Sequence, residues 1–136
     1  MTNANRHILC IRTDKPEAEL ALYDAQGKQL DQVVWHAHRQ LAETLHAKIV
    51  GLLHAHGAEL HDIAGIVAYQ GPGSFTGLRI GLSVANALAD AVGCPIVAGS
   101  GSEWESAGVQ RLVEGQNDEA VLPEYGAAAR VTKPRK

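Results

Sequence analysis

Aromatic residues make up only 4% of this 136-residue chain, and no apolar run approaches the ~20 residues that a membrane-spanning helix needs. The stretch from Met1 to Arg12 lacks the long apolar core and small-residue cleavage site of a signal peptide, so a cytoplasmic protein with no membrane contact is expected. Cysteine is scarce: Cys10 and Cys94 stand alone with no C-x-x-C spacing, which speaks against a disulfide or zinc framework and suits a reducing compartment. Basic residues are outnumbered, 12 against 15 acidic, and the formal net charge of −3 argues against a general nucleic-acid binder. A hydrophobic share of 46% in a chain of this length is enough for one folded domain and excludes wholesale disorder.

The few cations are unevenly placed. Pro123 to Lys136 holds 4 of the 12 basic residues beside the single acid Glu124, whereas the body before it is acidic. A basic end of this kind reads as a solvated tail, and Arg130 to Lys136, with Val131 as almost its sole apolar anchor, is expected to be mobile in the free protein.

Periodicity orders the rest. Residues 7–12 form a short apolar run, 18–24 alternate with Leu20 and Leu22 on one face, and 29–36 follow a glycine turn, which predicts an antiparallel meander. Leu41, Leu45, Ile49, Leu52 and Leu53 then form one helical stripe that ends at Gly57. Ile63 to Tyr69 is almost continuously apolar, as in a strand buried on both faces. A glycine-rich loop leads to a helix over 76–92, Gly93 caps it, and Pro95 to Ala98 is a last short strand. Ser100-Gly101-Ser102-Glu103 reads as a capping box that starts a short helix near residue 101; beyond Gly108 the signal fades. The pattern predicts an α/β fold with a mixed five-stranded sheet and right-handed crossovers.

The chemical motifs are mostly negative. The loop Gly71-Pro72-Gly73-Ser74-Phe75-Thr76-Gly77-Leu78-Arg79 joins a buried strand to a helix, a junction that can present N–H groups to a phosphate. It has no lysine for a Walker loop, Thr76 replaces the third glycine of a dinucleotide fingerprint, and Pro72 removes a donor. Pro72 and Thr76 also replace the glycines that would make Ser74 a nucleophile elbow. The simpler reading is a tight turn in which Gly73 or Gly77 approaches neighbouring backbone closely. The 7 histidines offer no H-x-x-x-H pair. His36 and His38 could share a strand face, but His54 and His56 point about 200° apart on a helix. No metal site is expected. Asp14, at the first strand's turn, could meet Mg²⁺ but reads more simply as turn chemistry.

Gly71 to Gly81, Gly-Pro-Gly-Ser-Phe-Thr-Gly-Leu-Arg-Ile-Gly, resembles the signature of the TsaB/YeaZ family, the dimerization subunit of the bacterial machinery that makes threonylcarbamoyladenosine in tRNA. Gly93-x-Pro95-Ile96-Val97 and Ser100-x-Ser102-Glu103 reinforce it, and the similarity runs over roughly residues 7–108. The resemblance implies a ribonuclease-H-like, actin-like ATPase lobe over 1–108, with 109–136 as linker and basic C-terminal tail, the family's second lobe being deleted or collapsed. Leu122-Pro123-Glu124-Tyr125 is similar to the family's closing Pro-x-Tyr segment, although Gly126-Ala127 replaces the usual Leu-Arg.

Two departures bear on function. The first strand of actin-like ATPases ends in Asp before Thr, where this chain has Arg12 before Thr13; the catalytic paralogue's metal motif is replaced by Leu41-Ala42-Glu43-Thr44-Leu45. The resemblance therefore implies a non-catalytic scaffold for forming N6-threonylcarbamoyladenosine at tRNA position 37, with no catalytic residue, metal or cofactor of its own and ATP/Mg²⁺ only at a partner interface. Its implied partners are a TsaD-like catalytic subunit, a TsaE-like ATPase, a second copy when alone, and tRNA indirectly. The alternatives are a small nucleotide-binding or ATPase domain using Gly71 to Gly77, and, less favoured, a peptidase.

The 76–92 helix carries a further signal. Arg79, Ser83, Asn86 and Asp90 form a narrow polar strip, and the rest of the circumference is apolar or glycine. The sheet can cover the sector of Leu78, Leu82, Ala85, Leu88, Ala89 and Val92. Ile80, Val84, Ala87 and Ala91, with Leu45 and Ile49 of the neighbouring helix, are the expected partner interface; cover by residues 109–136 is the alternative.

Overall fold

The computed structural model describes residues 6–73 and 75–124, apart from the side chains of His38 and Phe75. The expected mobile tail from Arg130 to Lys136, together with Tyr125 and Ser74, lies outside the described residues. Strands β1 (His7–Arg12), β2 (Glu17–Asp24) and β3 (Gln29–His36) form the meander. Helix α1 (Leu41–Ala55), strand β4 (Ile63–Tyr69), helix α2 (Phe75–Val92), strand β5 (Ile96–Gly99) and helix α3 (Trp104–Val113) follow.

The five strands make one sheet in the order β3-β2-β1-β4-β5. β1 runs antiparallel to β2 and parallel to β4, and β4 runs parallel to β5, so the sheet is mixed as the pattern predicts. Its two faces carry separate cores, because successive side chains of a strand point to opposite sides. Leu9 and Ile11 join Leu45, Ile49 and Leu53 of α1 and Leu82 and Ala85 of α2. Ile8 and Cys10 join Val67, Tyr69, Trp104 and Val109 on the α3 side. Cover on both faces explains why β1 and β4 read as unbroken apolar runs, whereas the edge strand β3 alternates. Gly108 lets α3 lie close on the sheet, since a Cβ there would collide with the side chain of Val67.

Two features of the C-terminal part differ from expectation. The stretch Ser100 to Glu103 does not form a capping box: Gly101 turns at φ +78°, and α3 begins at Trp104 after Glu103, which makes no side-chain cap. A reciprocal capping box forms instead between Glu59 and Asp62, at the one-turn helix before β4. α3 also runs through position 108, the expected boundary of the lobe, and residues 117–124 then strap the free edge of β5.

That strap replaces a sixth strand. The Asp118 N–H donates to the Ile96 carbonyl at 2.8 Å, while Asn117 Oδ1 and Asp118 Oδ2 accept from the Ile96 and Ala98 N–H groups at 3.1 and 2.8 Å. Asn86 of α2 makes a peptide-like pair with Val121, donating to its carbonyl and accepting from its N–H, each at 2.9 Å. Val121 is 2% exposed and belongs to the core. Gln70 closes the strap by donating to the Leu122 carbonyl at 3.0 Å, and its own carbonyl accepts from the Glu124 N–H at 2.9 Å. The edge groups of β5 are thereby satisfied without offering a template for pairing. Among the described residues no helix is long and apolar enough to cross a membrane.

Arg111 anchors the strap by donating to both Asp118 oxygens at 2.5 and 3.0 Å. That hydrogen bond, outweighing a smaller opposing effect of burial, holds the Asp118 carboxyl below its usual range. A carboxyl whose folded value is depressed stabilises the fold above its unfolded pKa, and the contribution is lost as pH falls through the folded value. Asp118→Asn is expected to cost about 0.5–1 kcal/mol at pH 7, the pair being partly screened by solvent. In urea titrations the gap from wild type should narrow at a pH below about 4.

Candidate functional site

β1 ends at Arg12, and the turn that follows is driven into the interior: Thr13 is 3% and Asp14 8% exposed. Three glycines make the room. A Cβ on Gly77 would collide with the Thr13 carbonyl oxygen, and one on Gly81 with the Thr13 hydroxyl. A Cβ on Gly73 would collide with that of Asp14 and come within 2.9 Å of its Oδ2. Gly77 and Gly81 are i,i+4 neighbours, so both face the turn from one side of α2. The Thr13 hydroxyl donates to the Gly77 carbonyl at 2.8 Å and stitches the turn to the helix. The expected close approach to neighbouring backbone is therefore found at Gly77, whereas Gly73 and Gly81 approach the side chains of Asp14 and Thr13. Gly71, at φ +123°, needs glycine on two counts, because a Cβ there would also collide with the Glu124 carbonyl oxygen. The Gly71–Pro72 peptide bond is cis.

The charges at this corner are paired internally. Arg12 Nε donates to Asp14 Oδ1 at 2.7 Å and Nη2 to Oδ2 at 3.3 Å. The guanidinium stacks 3.9 Å from the centroid of the Tyr69 ring, and the Tyr69 hydroxyl donates to the Pro72 carbonyl at 3.0 Å. Burial opposes the Arg12 charge, but the Asp14 hydrogen bond and carboxylate more than offset it, so its pKa is raised. The resemblance to actin-like ATPases makes this the corner to test for Mg²⁺ and nucleotide. Asp14 accepts from Arg12 and Thr13 donates to Gly77, so the polar groups of the turn are already engaged. A cavity of about 250 Å³ beside the turn is lined by Lys15, Pro16, Ala37, Leu41, Thr76 and Ile80 among others.

Among the described residues the histidines do not gather. His56 pairs with Asp31 at 2.8 Å, His54 with Glu59 at 3.3 Å, His36 with Glu17 at 3.5 Å and His61 with Asp62 at 3.6 Å. Among the described residues no group of three or more His, Cys, Asp or Glu side chains could hold a metal ion. Cys10 is buried and Cys94 half-buried; both are free thiols whose pKa burial raises, that of Cys94 to about 11.

The expected interface divides. Leu45 and Ile49 are 0% exposed, packed under α1 in the core, and offer nothing to a partner; the stripe that suggested them is the stripe that folds the lobe. Ile80 and Val84 are half-buried, and Ala87 and Ala91 are exposed. An open groove of about 370 Å³ takes in Ile80 and Val84 together with Ala42 of α1 and Thr76, Arg79 and Ser83 of α2. Of the alternative cover, residues 109–136, the described part up to Glu124 reaches α2 at Asn86, and Ala87 and Ala91 are exposed. The motif residues Leu78 and Arg79 separate cleanly, Leu78 at 0% exposure in the core and Arg79 on the surface. Sequence reasoning missed Tyr69 and the Asn86–Val121 pair. Nothing in the spacing signals either, since Asn86 and Val121 stand 35 residues apart.

Gly77→Val sets two methyl groups against the Thr13 backbone. It is expected to destabilise the fold by about 1–3 kcal/mol or more, read as a lower denaturant midpoint at unchanged slope.

A family model described as TsaD, tRNA N6-adenosine threonylcarbamoyltransferase, matches residues 23–104. A curated tRNA N6-adenosine threonylcarbamoyltransferase from Geotalea uraniireducens (strain Rf4) is 43% identical over 60 residues, 44% of this chain and 18% of that protein. Among solved structures, YeaZ from Pseudomonas aeruginosa superposes with a TM-score of 0.64 at 30% identity, covering 70% of this chain and 44% of that one. RuvC of T. thermophilus, at 16% identity and a TM-score of 0.50 over 91% of this chain and 87% of its own, shares the ribonuclease-H-like fold alone. The chain thus spans less than half of YeaZ and about a fifth of the curated transferase. With the model covering most of the chain and YeaZ matching its fold, this chain belongs to the family that the TsaD model describes, as an N-terminal lobe of the TsaB/YeaZ type.

Proposed function

We propose that this chain is a non-catalytic docking subunit in the formation of N6-threonylcarbamoyladenosine at position 37 of tRNA. It pairs with a TsaD-like catalytic subunit and, when alone, with a second copy of itself; a TsaE-like ATPase joins the complex, and tRNA is met through the partners. The folded lobe, in which α3 and the 117–124 strap belong with the preceding residues, supplies the docking surface. The observation that carries this reading is the strip Ile80, Val84, Ala87 and Ala91 on α2, of which Ile80 and Val84 line the α1–α2 groove and Ala87 and Ala91 are exposed. Small apolar residues let a partner helix approach closely, and their burial on association returns about 25 cal/mol per Å² of apolar surface. A subunit without chemistry of its own is supported by the way Asp14 and Thr13 are engaged inside the fold. It needs no cofactor in this reading, and a nucleotide would sit only at a partner interface.

Val84→Glu places a charge in the strip. Size-exclusion chromatography is expected to show a shift toward monomer and weaker co-elution with the TsaD-like protein, at least tenfold in Kd if Val84 is a central contact. Circular dichroism should stay near native. A variant that stays dimeric with wild-type affinity would remove α2 from the interface. The purified chain, assayed alone with tRNA and threonylcarbamoyl donor, is expected to transfer nothing, and robust modification would overturn the non-catalytic reading.

A further inference from the structure

The corner at the end of β1 holds a nearly buried carboxylate: the Asp14 side chain is 6% exposed and wedged against Gly73. A carboxylate at such a place needs a cation or hydrogen-bond donors close by. A metal ion is one such cation, but the residues present do not fit one. Both Asp14 oxygens accept from Arg12, whose side chain is itself only 18% exposed. The guanidinium carbon lies over the Tyr69 ring, 3.9 Å from its centroid, which adds cation–π attraction. Glu19, opposite Arg12 in the β1–β2 register, is the second carboxylate facing it, and Lys15 stands 3.9 Å from Glu19.

The arrangement reaches α2 by two routes. Asp14 sits against Gly73, and Tyr69 holds the Pro72 carbonyl, so both ends of the pair grip the loop before the helix. Thr13, between Arg12 and Asp14, is hydrogen-bonded to Gly77 in the first turns of α2. We propose that Arg12 is a built-in counter-cation and a positioning residue: with Asp14 and Tyr69 it locks the 71–73 loop and the first turn of α2 in place, so that this corner needs neither a divalent cation nor a nucleotide. The locking stands on the geometry of the corner alone; any effect on partner affinity rests on the docking reading above.

Replacing the cation by an anion supplies the test. Arg12→Asp would set a new carboxylate beside those of Asp14 and Glu19, with Lys15 as the nearby cation. That variant is expected to melt below wild type in EDTA and to recover in millimolar Ca²⁺ or Mg²⁺, whereas the wild-type melting temperature ignores both ions and Mg-ATP. Arg12→Gln, which removes the charge, should speed amide exchange in the first turn of α2 by about tenfold relative to the rest of the helix. Arg12→Lys, which keeps the charge without the fork, should fall between Gln and wild type. If Arg12→Asp does not fold even with Ca²⁺, the Gln and Lys pair decides. Wild-type exchange and melting in Arg12→Gln would overturn the proposal, as would a saturable rise of the wild-type melting temperature with Mg-ATP. Partner affinity measured on Arg12→Gln separates the two readings: local loosening with unchanged affinity keeps the lock and counts against docking through the first turn of α2.

Discussion

The turn Thr13–Asp14 lies against Gly73, Gly77 and Gly81, and the rest of the lobe is arranged around that contact. It brings the carboxyl end of β1 under the start of α2, so the parallel pair β1–β4 and the helix after β4 share one buried corner. Side chains at the three positions would push the helix off the sheet, and interiors packed at crystal-like density have little slack to absorb that. The Thr13–Gly77 hydrogen bond and the Arg12–Asp14 pair then satisfy the polar groups that so close an approach buries. A motif that looks like a phosphate loop is, in this fold, a cradle for the protein's own backbone.

The second constraint is the treatment of the sheet's edges. β5 has only four residues, and its outward N–H groups are met by Asn117 and Asp118. Arg111 holds Asp118 in place and also donates to the Ala98 carbonyl at 3.3 Å, so α3, the strap and the edge strand form one polar assembly. At the other edge the exposed positions of β3 mix Gln32 and His36 with Leu30 and Val34, and its register with β2 is broken between Leu22 and Tyr23. Irregularity makes an edge a poorer template for pairing. The strap also returns the chain across Asn86 to Gly71, beside the glycine-rich loop.

Function, as proposed, follows from what these devices leave over. With one side of α2 against the sheet and its Asn86 side held by the strap, Ala87 and Ala91 remain exposed among the described residues beside Arg79, Ser83 and Asp90, while Ile80 and Val84 are half-buried against the core. The corner that sets the start of that helix is internally bonded through the Arg12–Asp14 pair and the Thr13–Gly77 hydrogen bond, so the position of the proposed docking face is set by the fold itself.

The sequence alone determined the elements, their order and the helix faces. The 41–53 stripe, the unbroken apolar run 63–69 and the turns at Gly57 and Gly93 are local patterns whose periods and backbone demands are decided within a few residues. The family resemblance rested on the same kind of local signal at Gly71 to Gly81. The purpose of those glycines was not legible, because the residues they admit, Thr13 and Asp14, lie some 60 positions away and only the parallel β1–β4 pairing brings them together. The division of the expected interface into core at Leu45 of α1 and surface at Ala87 of α2 was equally hidden, since burial depends on which elements pack above each face. Tertiary structure decided these points: steric exclusion, charge pairing and edge satisfaction act across space, and a linear pattern records only what a residue's near neighbours require.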